Sequence, residues 1–257
     1  MVSSGVVGTP SDARVWLRPF APNPYANLRL FCFPHAGGGA LSFRPWAALF
    51  PSEIELCPIQ LPGREDRFRE TPYTNVDALV RALTQVLYPY ELARPFALFG
   101  HSMGALIAYE LAHTLEDQYG MSPVQLFVSA RSAPHLPHPG PCLYTLPPDE
   151  FVAQLRMLKG TPDELLVDAD PVWLQRLRAD FELNEAYQPR PRTPLSVSIA
   201  AFAGRTDPRV SVADMQAWSK HTCRSFALRE FESDHFFVYK DYGAVVQAIL
   251  IALARAS

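Results

Sequence analysis

The chain has 257 residues, of which 48% are hydrophobic and 19% are charged, and it carries a formal net charge of −3. This is the composition of a globular protein with a sizeable core, and it excludes an intrinsically disordered chain. The slightly acidic balance argues against a nucleic-acid-binding protein, because such proteins are usually strongly basic. The four cysteines are scattered and include no C-x-x-C pair, so neither a disulfide framework nor a metal site is expected.

Predicted strands and helices alternate along most of the chain. Residues 1–26, rich in Pro, Ser and Gly, form an N-terminal lead-in in which Trp16, Leu17 and Phe20 are expected to pack onto the body. The predicted strands are six apolar runs: Leu28–Phe33, Ile54–Ile59, Pro95–Phe99, Val124–Ala130, Leu195–Phe202 and Ser225–Phe231. The predicted helices cover residues 43–50, 75–90, 103–119, 211–220 and 241–254. Because several runs are apolar on both alternating faces, this order predicts an α/β fold with a parallel sheet flanked by helices.

The alternation breaks after the fourth predicted strand, where no further strand pattern appears before Pro194. The proline-dense stretch Pro134–Pro148 is followed by helical patterns at about residues 149–158 and 171–188. We interpret residues 134–192 as a helical lid inserted into the α/β core. The core then consists of residues 27–133 and 193–257. An alternative is a long crossover without function, since long insertions cost little entropy.

The sequence contains no pattern typical of a membrane protein. Its longest apolar stretch, Ala244–Ala254, is too short to span a bilayer. The first fourteen residues lack the basic start and the apolar stretch of a signal peptide. We therefore expect a cytoplasmic protein that makes no contact with a membrane.

The pentapeptide Gly100–Gly104 has the pattern G-x-S-x-G and lies between a predicted strand and a predicted helix. In this setting a sharp turn presents the central serine at the carboxyl edge of a sheet, and the N-terminus of the following helix points at any anion that forms there. The flanking glycines allow the turn because they have no Cβ atom. Ser102 is therefore the candidate nucleophile.

A serine hydroxyl is a poor nucleophile near neutral pH and needs a base, which a carboxylate in turn orients. Of the seven histidines, only His221 and His235 follow the fifth predicted strand. His221 precedes the last strand, whereas His235 follows it, at the sheet edge where ligands bind. His235 is therefore the candidate base. Asp207, the first carboxylate after the fifth strand, is the candidate acid; its alternative role is a helix N-cap, and Asp234 is the alternative acid.

Attack on a carbonyl group builds an oxyanion, which backbone N–H groups can stabilise. The amide of Met103, directly after the candidate nucleophile, is one candidate donor. The glycine-rich loop Phe33–Gly39 follows the first predicted strand, and in it the amide of Ala36 is the second candidate, with Gly37 as its alternative. A nucleotide-binding role for this loop is not indicated, because no Lys-Ser/Thr follows it and G-x-G-x-x-G is absent.

Four segments occur in order along the chain: Phe33–Gly38, Gln60–Arg64, Phe99–Ala105 and Asp234–Phe237. Together they resemble the type II thioesterases that accompany modular polyketide synthases and non-ribosomal peptide synthetases, and the resemblance runs from about Trp16 to the C-terminus. It implies an α/β-hydrolase fold with a catalytic triad of Ser102, Asp207 and His235. Ser233 departs from the family, which usually has glycine at that position.

The resemblance also implies an activity and its partners. Type II thioesterases are stand-alone serine enzymes that hydrolyse acyl groups, including aberrant or stalled ones, from the phosphopantetheine arm of acyl or peptidyl carrier proteins. No metal or bound cofactor is implied, since the phosphopantetheine belongs to the substrate. Contacts with carrier domains are expected to be transient, and we expect a monomer that binds neither nucleic acid nor a membrane.

Candidate substrate-binding residues lie mainly in the predicted lid. Met157, Trp173, Leu177 and Phe181 are candidates for the wall of an acyl pocket. The alternative is that these apolar side chains only fix the lid helices to the body. Gln60 is a candidate at the entrance of the site, and a structural role for its turn is the alternative.

Three other functions are compatible with these residues. An esterase or lipase for small diffusible esters has the same triad. An acyltransferase passes the acyl group to an alcohol or an amine instead of water. A non-catalytic protein of this fold that only binds a partner is the third alternative.

Overall fold

Six parallel strands form one sheet in the described part of the chain. The computed structural model describes residues 10–88, 91–137, 140–158 and 170–256. The strands are β1 (Leu28–Phe33), β2 (Ile54–Pro58), β3 (Phe96–His101), β4 (Gln125–Ser129), β5 (Ile199–Gly204) and β6 (Phe226–Phe231). Their spatial order is β2-β1-β3-β4-β5-β6, and every neighbouring pair is parallel. The parallel sheet expected from the alternating pattern is therefore confirmed, with strand ends shifted by a few residues.

Helices lie on both faces of the sheet. The α-helices are α1 (Pro10–Trp16), α2 (Val76–Leu87), α3 (Met103–Tyr119), α4 (Pro148–Leu158), α5 (Pro171–Glu185), α6 (Val212–Gln216), α7 (Phe237–Lys240) and α8 (Tyr242–Ala256). Shorter 3-10 helices cover Ala40–Leu49, Glu65–Arg67, Leu143–Thr145 and Ala217–His221. The predicted helix at 43–50 is a 3-10 helix that contains Pro45, and the one at 211–220 divides into α6 and a 3-10 helix. None of the described helices is long and apolar enough to cross a membrane.

Two hydrophobic clusters occupy the two faces of the sheet. One joins α2 and α3 to strand residues such as Leu98 and Leu126. The other joins α8 and the 3-10 helix Ala40–Leu49 to strand residues such as Phe99 and Phe127. Successive strand residues point to opposite faces, which explains why neighbours in the sequence belong to different clusters. Every residue of β3 is buried, as expected for a strand covered on both sides.

The N-terminal lead-in is more ordered than its composition predicts. Its middle part forms α1, which ends at Trp16, a side chain that is only 7% exposed. The guanidinium of Arg67 lies 4.2 Å from the centroid of the Trp16 ring, and Leu17 forms an antiparallel bridge with Ile59. Such distant contacts stabilise a helix that is too short to be stable alone. Residues 1–9 of the predicted lead-in lie outside the described residues.

Between β4 and β5 the described residues contain α4, α5 and a 3-10 helix, and no strand. The buried apolar side chains of this segment form a separate cluster, which consists of Leu143, Phe151, Leu155, Leu177 and Phe181. Ala36, from the loop after β1, packs against this cluster, so the segment covers the carboxyl edge of the sheet. The carboxylate of the N-cap residue Asp170 accepts a hydrogen bond of 2.7 Å from the Val172 amide at the start of α5. Residues 138–139 and 159–169 of the predicted lid lie outside the described residues.

Candidate active site

Ser102 lies in a strained turn between β3 and α3. Its backbone has φ 53° and ψ −116°, a conformation that non-glycine residues rarely adopt. The turn is tightly packed: a Cβ atom on Gly100 would lie 2.1 Å from the carbonyl oxygen of Gly104, and one on Gly104 would lie 2.1 Å from that of Phe33. A hydrogen bond of 2.8 Å from the Ser102 amide to the Ser129 carbonyl connects the turn to β4. This geometry presents the Ser102 side chain to a cavity.

His235 and Asp207 form a buried pair in the loops that follow β6 and β5. The distance between His235 Nδ1 and Asp207 Oδ2 is 2.7 Å. The other carboxylate oxygen, Oδ1, accepts hydrogen bonds from the backbone amides of Arg209 at 2.8 Å and Val210 at 3.2 Å. Because a carboxylate only accepts hydrogen bonds, this arrangement keeps the proton of a neutral His235 on Nδ1 and leaves Nε2 as an acceptor.

Asp234, the alternative acid, is engaged elsewhere. Its Oδ2 pairs with Lys240 Nζ at 2.5 Å, and its Oδ1 accepts a hydrogen bond of 3.0 Å from the Phe236 amide. Within the described residues its carboxylate makes no hydrogen bond to the His235 ring. The N-cap alternative for the candidate acid also fails, because α6 begins after a different N-cap residue, Ser211.

Burial lowers the pKa of His235 from its ordinary value, because the imidazolium form loses hydration. The hydrogen bond to Asp207 raises this pKa, and the positive charge of Arg209 lowers it further. His235 is therefore neutral near pH 7, which is the form that can take a proton. Its Nε2 is buried and has no hydrogen-bond partner within the described residues. Hydrogen bonds between catalytic groups are often completed only when substrate is bound.

Two further histidines lie beside His235: His101 is fully buried and His35 is half-buried. The ring centroids of His101 and His235 are 5.3 Å apart, and His101 Nδ1 lies 3.0 Å from Ser129 Oγ. His35 Nδ1 lies 2.6 Å from the hydroxyl of Tyr239. Burial lowers the pKa of both histidines, that of His35 to about 3. Both rings are therefore neutral at physiological pH and place no positive charge beside His235.

Two cavities meet at Ser102 and His235. The larger one has a volume of about 570 Å³ and the smaller one about 30 Å³. The wall of the larger cavity includes many polar or charged side chains, among them Arg131, Gln154, Asn184, Glu185, Gln188 and Arg209. The wall of the smaller cavity includes Ala36, Leu155, Leu158, Leu177, Phe181 and Phe236, together with polar side chains such as His35 and Asn184. Both walls therefore mix polar and apolar side chains, and the site offers one large and one small cavity beside the serine.

The candidate oxyanion donors come from the loop after β1 and from the start of α3. Ala36 is in the wall of the smaller cavity, and Met103 is the first residue of α3. Within the described residues neither amide has a hydrogen-bond acceptor. The amide of Gly37, the alternative donor, is already bonded to Asp180 Oδ2 at 2.7 Å. The geometry thus favours Ala36 over Gly37.

Leu177 and Phe181, two of the predicted acyl-pocket residues, are in the wall of the smaller cavity. The other two are not in the wall of either cavity described here. Trp173 packs against the apolar cluster of the inserted segment. This agrees with the alternative role given above, in which such side chains only fix the lid helices in place. Met157 has a side chain that is 71% exposed. Trp173 and Leu177 are four positions apart and share a face of α5, so they differ in position along the helix and not in the face that they occupy.

Gln60 is also absent from the cavity walls and has the structural role that was its alternative. It is fully buried, its Oε1 accepts a hydrogen bond of 2.9 Å from the Ala40 amide, and its Nε2 donates one of 3.0 Å to the Arg64 carbonyl. The side chain thus connects the segment after β2 to the loop after β1.

Sequence reasoning missed several residues of the cavity walls, including Leu155, Asn184, Arg209 and Phe236. A signal existed for Asn184, because it follows Leu177 by seven positions on the same helix and therefore shares its face. No sequence motif indicated Arg209, although this residue lies in the loop of the candidate acid, at the edge of the sheet where ligands bind.

The fold and the site together define a class of protein. A serine on a strand–turn–helix, a histidine–aspartate pair and backbone amides without acceptors form an acyl-transfer site of the serine hydrolase type. Among the described residues, no group of three or more His, Cys, Asp or Glu side chains is arranged to hold a metal ion.

Comparisons with known proteins identify the family. The sequence model of the thioesterase domain matches residues 28–252, and the chain belongs to this family. It is 44% identical over 231 residues to linear gramicidin dehydrogenase LgrE of Brevibacillus parabrevis, with 88% of each chain covered. It is 43% identical over 232 residues to gramicidin S biosynthesis protein GrsT of Aneurinibacillus migulanus, with 90% of each chain covered.

The solved structure of the type II thioesterase BorB, from the borrelidin biosynthetic cluster, is also similar. It is 37% identical in sequence and has a TM-score of 0.80, and the match covers 91% of this chain and 94% of BorB. The α/β-hydrolase fold and the resemblance to type II thioesterases are thereby confirmed. The chain is a thioester hydrolase.

Proposed function

We propose that this thioesterase hydrolyses acyl groups, including aberrant or stalled ones, from the phosphopantetheine arm of carrier proteins in polyketide or non-ribosomal peptide biosynthesis. The observation that carries the proposal is the Ser102 turn, which shares a large and a small cavity with His235, the histidine that Asp207 holds. The similarity to BorB, described as a type II thioesterase of a biosynthetic cluster, supports the substrate class.

In the proposed mechanism Ser102 Oγ attacks the thioester carbonyl carbon while His235 Nε2 takes the hydroxyl proton. Asp207 holds the proton on Nδ1 and stabilises the imidazolium that forms. The amides of Ala36 and Met103 donate hydrogen bonds to the oxyanion. The C–S bond then breaks, the carrier thiol leaves with the proton from His235, and an acyl-enzyme remains. A water molecule that His235 deprotonates hydrolyses this ester and releases the acid and Ser102.

We assign the two cavities to the two halves of the substrate. The larger cavity suits the phosphopantetheine arm, because side chains such as Gln154, Asn184 and Gln188 in its wall can pair with the amide and hydroxyl groups of the arm. The smaller cavity suits the acyl group, with Leu177 and Phe181 in its wall. A volume of about 30 Å³ leaves room for a short alkyl group only, so acyl groups of two or three carbons fit without movement of α4 or α5.

The first test is deacylation of loaded carrier proteins. We expect hydrolysis of acetyl- and propionyl-phosphopantetheinyl carrier proteins to be at least tenfold faster, in kcat/KM, than hydrolysis of longer acyl carriers or of p-nitrophenyl acetate. The reason is that the arm fills the larger cavity while the smaller cavity accepts only the short chain. Thiol release and loss of intact mass measure the reaction, with Ser102→Ala as the blank.

The same assay separates the proposed function from its alternatives. Faster turnover of p-nitrophenyl acetate with the carriers left intact indicates an esterase for small molecules. Acyl esters or amides formed with added alcohols or amines indicate an acyltransferase. A folded protein that neither turns over any of these substrates nor reacts with a fluorophosphonate probe is a binding protein.

The pH dependence of kcat/KM depends on Arg209. The positive charge of this side chain lowers the pKa of His235, so Arg209→Gln raises that pKa. Protonated His235 cannot act as a base, and the loss of activity on acidification therefore begins at a higher pH in the variant. Profiles of kcat/KM between pH 5 and 9 on an acetyl thioester measure the shift, because this ratio reports the pKa of the free enzyme.

The matched control for this prediction is Arg205→Gln, in the same loop. Arg205 is exposed and pairs with Glu230 and Glu232, and its substitution is expected to leave the acid limb unchanged. An acid limb that stays in place or moves to lower pH in Arg209→Gln contradicts the assigned charge effect.

We further propose that the protein is a cytoplasmic monomer that contacts acyl or peptidyl carrier domains transiently and uses no cofactor. The proposed chemistry supports the last point, since side chains, backbone amides and water supply every group that the two half-reactions need. Transient contact suits an enzyme that must release each carrier domain after a single deacylation.

A further inference from the structure

Asp180 connects helix α5 to the loop that carries Ala36. Its Oδ2 accepts a hydrogen bond of 2.7 Å from the amide of Gly37. Both carboxylate oxygens also pair with Arg64, at 2.7 Å between Nη2 and Oδ1 and at 2.9 Å between Nη1 and Oδ2. Asp180 is 3% exposed and Arg64 is 9% exposed, so their ion pair is shielded from solvent. A buried carboxylate with all of these partners holds its position firmly.

The rest of this loop is held by the segment after β2. Arg64 Nη1 also donates a hydrogen bond of 3.0 Å to the Gly38 carbonyl. Gln60 accepts a hydrogen bond from the Ala40 amide. Within the described residues, however, the amide of Gly37 has Asp180 as its one acceptor. The part of the loop next to Ala36 is therefore anchored by α5.

Packing reinforces this contact. Gly37 has φ +81°, and a Cβ atom on it would lie 2.9 Å from Leu177 Cδ1. Leu177 precedes Asp180 by three positions and therefore lies on the same face of α5, together with Phe181 and Asn184. The loop thus meets α5 through an apolar side chain and a charged one at adjacent points, and any displacement of α5 breaks both contacts.

We propose that Asp180 is a positioning residue that couples the docking of α5 to the assembly of the oxyanion site at Ala36. The inference rests on the proposed roles of Ser102 and Ala36. The amides of Ala36 and Gly37 belong to adjacent peptide units that share the Cα atom of Ala36, so a shift of the Gly37 amide moves this atom and with it the neighbouring Ala36 amide. Misplacement of a reacting group by about 1 Å costs roughly a hundredfold in rate. When α5 moves away, the oxyanion site comes apart, and the reaction proceeds only after α5 docks again.

Two double variants isolate the hydrogen bond to Gly37. Arg64→Met with Asp180→Asn and Arg64→Met with Asp180→Leu both remove the buried charges, and such neutral replacements are often tolerated. Asn and Leu have the same number of side-chain heavy atoms and the same branch at Cγ, but only the Asn side chain offers an oxygen to the Gly37 amide. We expect the Leu variant to lose about a hundredfold in kcat with KM within threefold of the parent, and the Asn variant to lose less than tenfold.

A second readout reports the oxyanion site directly. An acetyl-type trifluoromethyl ketone forms a hemiketal with a catalytic serine: the serine oxygen adds to the carbonyl carbon, the histidine takes the proton, and the carbonyl oxygen becomes the oxyanion. We expect about a hundredfold weaker inhibition of the Leu variant and little change for the Asn variant. Glu182→Gln, a carboxylate change elsewhere on α5, is the control and is expected to leave kcat and inhibition unchanged.

The outcomes separate this inference from the proposed function. If both double variants are folded by thermal unfolding and have equal kcat and equal inhibition, Asp180 has no positioning role. If instead Ser102→Ala retains full activity, the proposed function itself fails, whatever the Asp180 variants do.

Hydrogen exchange on the unmodified protein tests the coupling without any substitution. The proposal requires that the Gly37 amide lose protection in the same opening event as the amides of α5, with the same free energy of opening and the same dependence on denaturant. A Gly37 amide that stays protected while α5 opens overturns the proposal. Because this measurement needs no substitution, it decides the matter even if the double variants do not fold.

Discussion

Ser102→Ala is expected to lower kcat on a carrier-bound acetyl thioester by about 10⁵- to 10⁶-fold, the size of loss that follows removal of a nucleophile in a serine hydrolase. The residual rate comes from the oxyanion donors and from binding alone. Stability is expected to stay within about 0.5 kcal/mol of the parent, because alanine keeps the Cβ atom and the backbone strain of the turn unchanged. The Ser102 hydroxyl forms no hydrogen bond with the described residues, so no buried partner is left unsatisfied.

Three measurements on the same preparation establish this result. Single-turnover deacylation gives the rate, intact mass shows whether an acyl-enzyme accumulates, and thermal unfolding reports folding. Ser122→Ala removes an exposed hydroxyl from the loop before β4 and serves as the matched serine control. A folded Ser102→Ala protein with activity within tenfold of the parent contradicts the assignment of the nucleophile.

The features of the site that depend on residues close together in the chain could be predicted from the sequence. α3 has the predicted bounds, and the turn at Ser102 lies between β3 and α3 as the G-x-S-x-G pattern indicates. These features depend on residues that are adjacent in the chain, such as a buried strand, two glycines and a helix-forming run. The pairing of His235 with Asp207 needed only chain order and the rule that loops at the carboxyl edge of a parallel sheet meet, and the structure brings the two side chains to 2.7 Å.

The cavity walls could not be derived in this way. Trp173 and Leu177 share a face of α5, so an amphipathic pattern does not distinguish them; the position of the helix along its axis relative to the sheet edge, which tertiary packing decides, selects Leu177 for the wall. Arg64 and Asp180 are 116 positions apart and belong to different elements, so no local pattern predicts that they meet. The α1 helix likewise depends on the contact between Trp16 and Arg67.

Asp207→Asn is expected to lower kcat by about 10⁴-fold near neutral pH while the fold is retained. The hydrogen bonds of Asp207 explain why. Its Oδ1 accepts hydrogen bonds from the amides of Arg209 and Val210, so the oxygen of an asparagine stays on these donors. The side-chain NH2 group then faces His235 Nδ1 and donates to it. His235 must carry its proton on Nε2, where it can no longer accept the proton of Ser102.

Asp234→Asn is the matched control, since it changes the carboxylate next to His235 in sequence. Its Oδ1 keeps the hydrogen bond from the Phe236 amide, and only the ion pair with Lys240 is lost. The charge of Asp234 raises the pKa of His235, so its removal moves the acid limb of kcat/KM to slightly lower pH and leaves kcat within about threefold. A large loss in Asp234→Asn with a mild one in Asp207→Asn means that the acid is Asp234. The ratio of the two kcat values therefore decides which carboxylate orients the histidine, because both substitutions remove one negative charge and only one changes the tautomer.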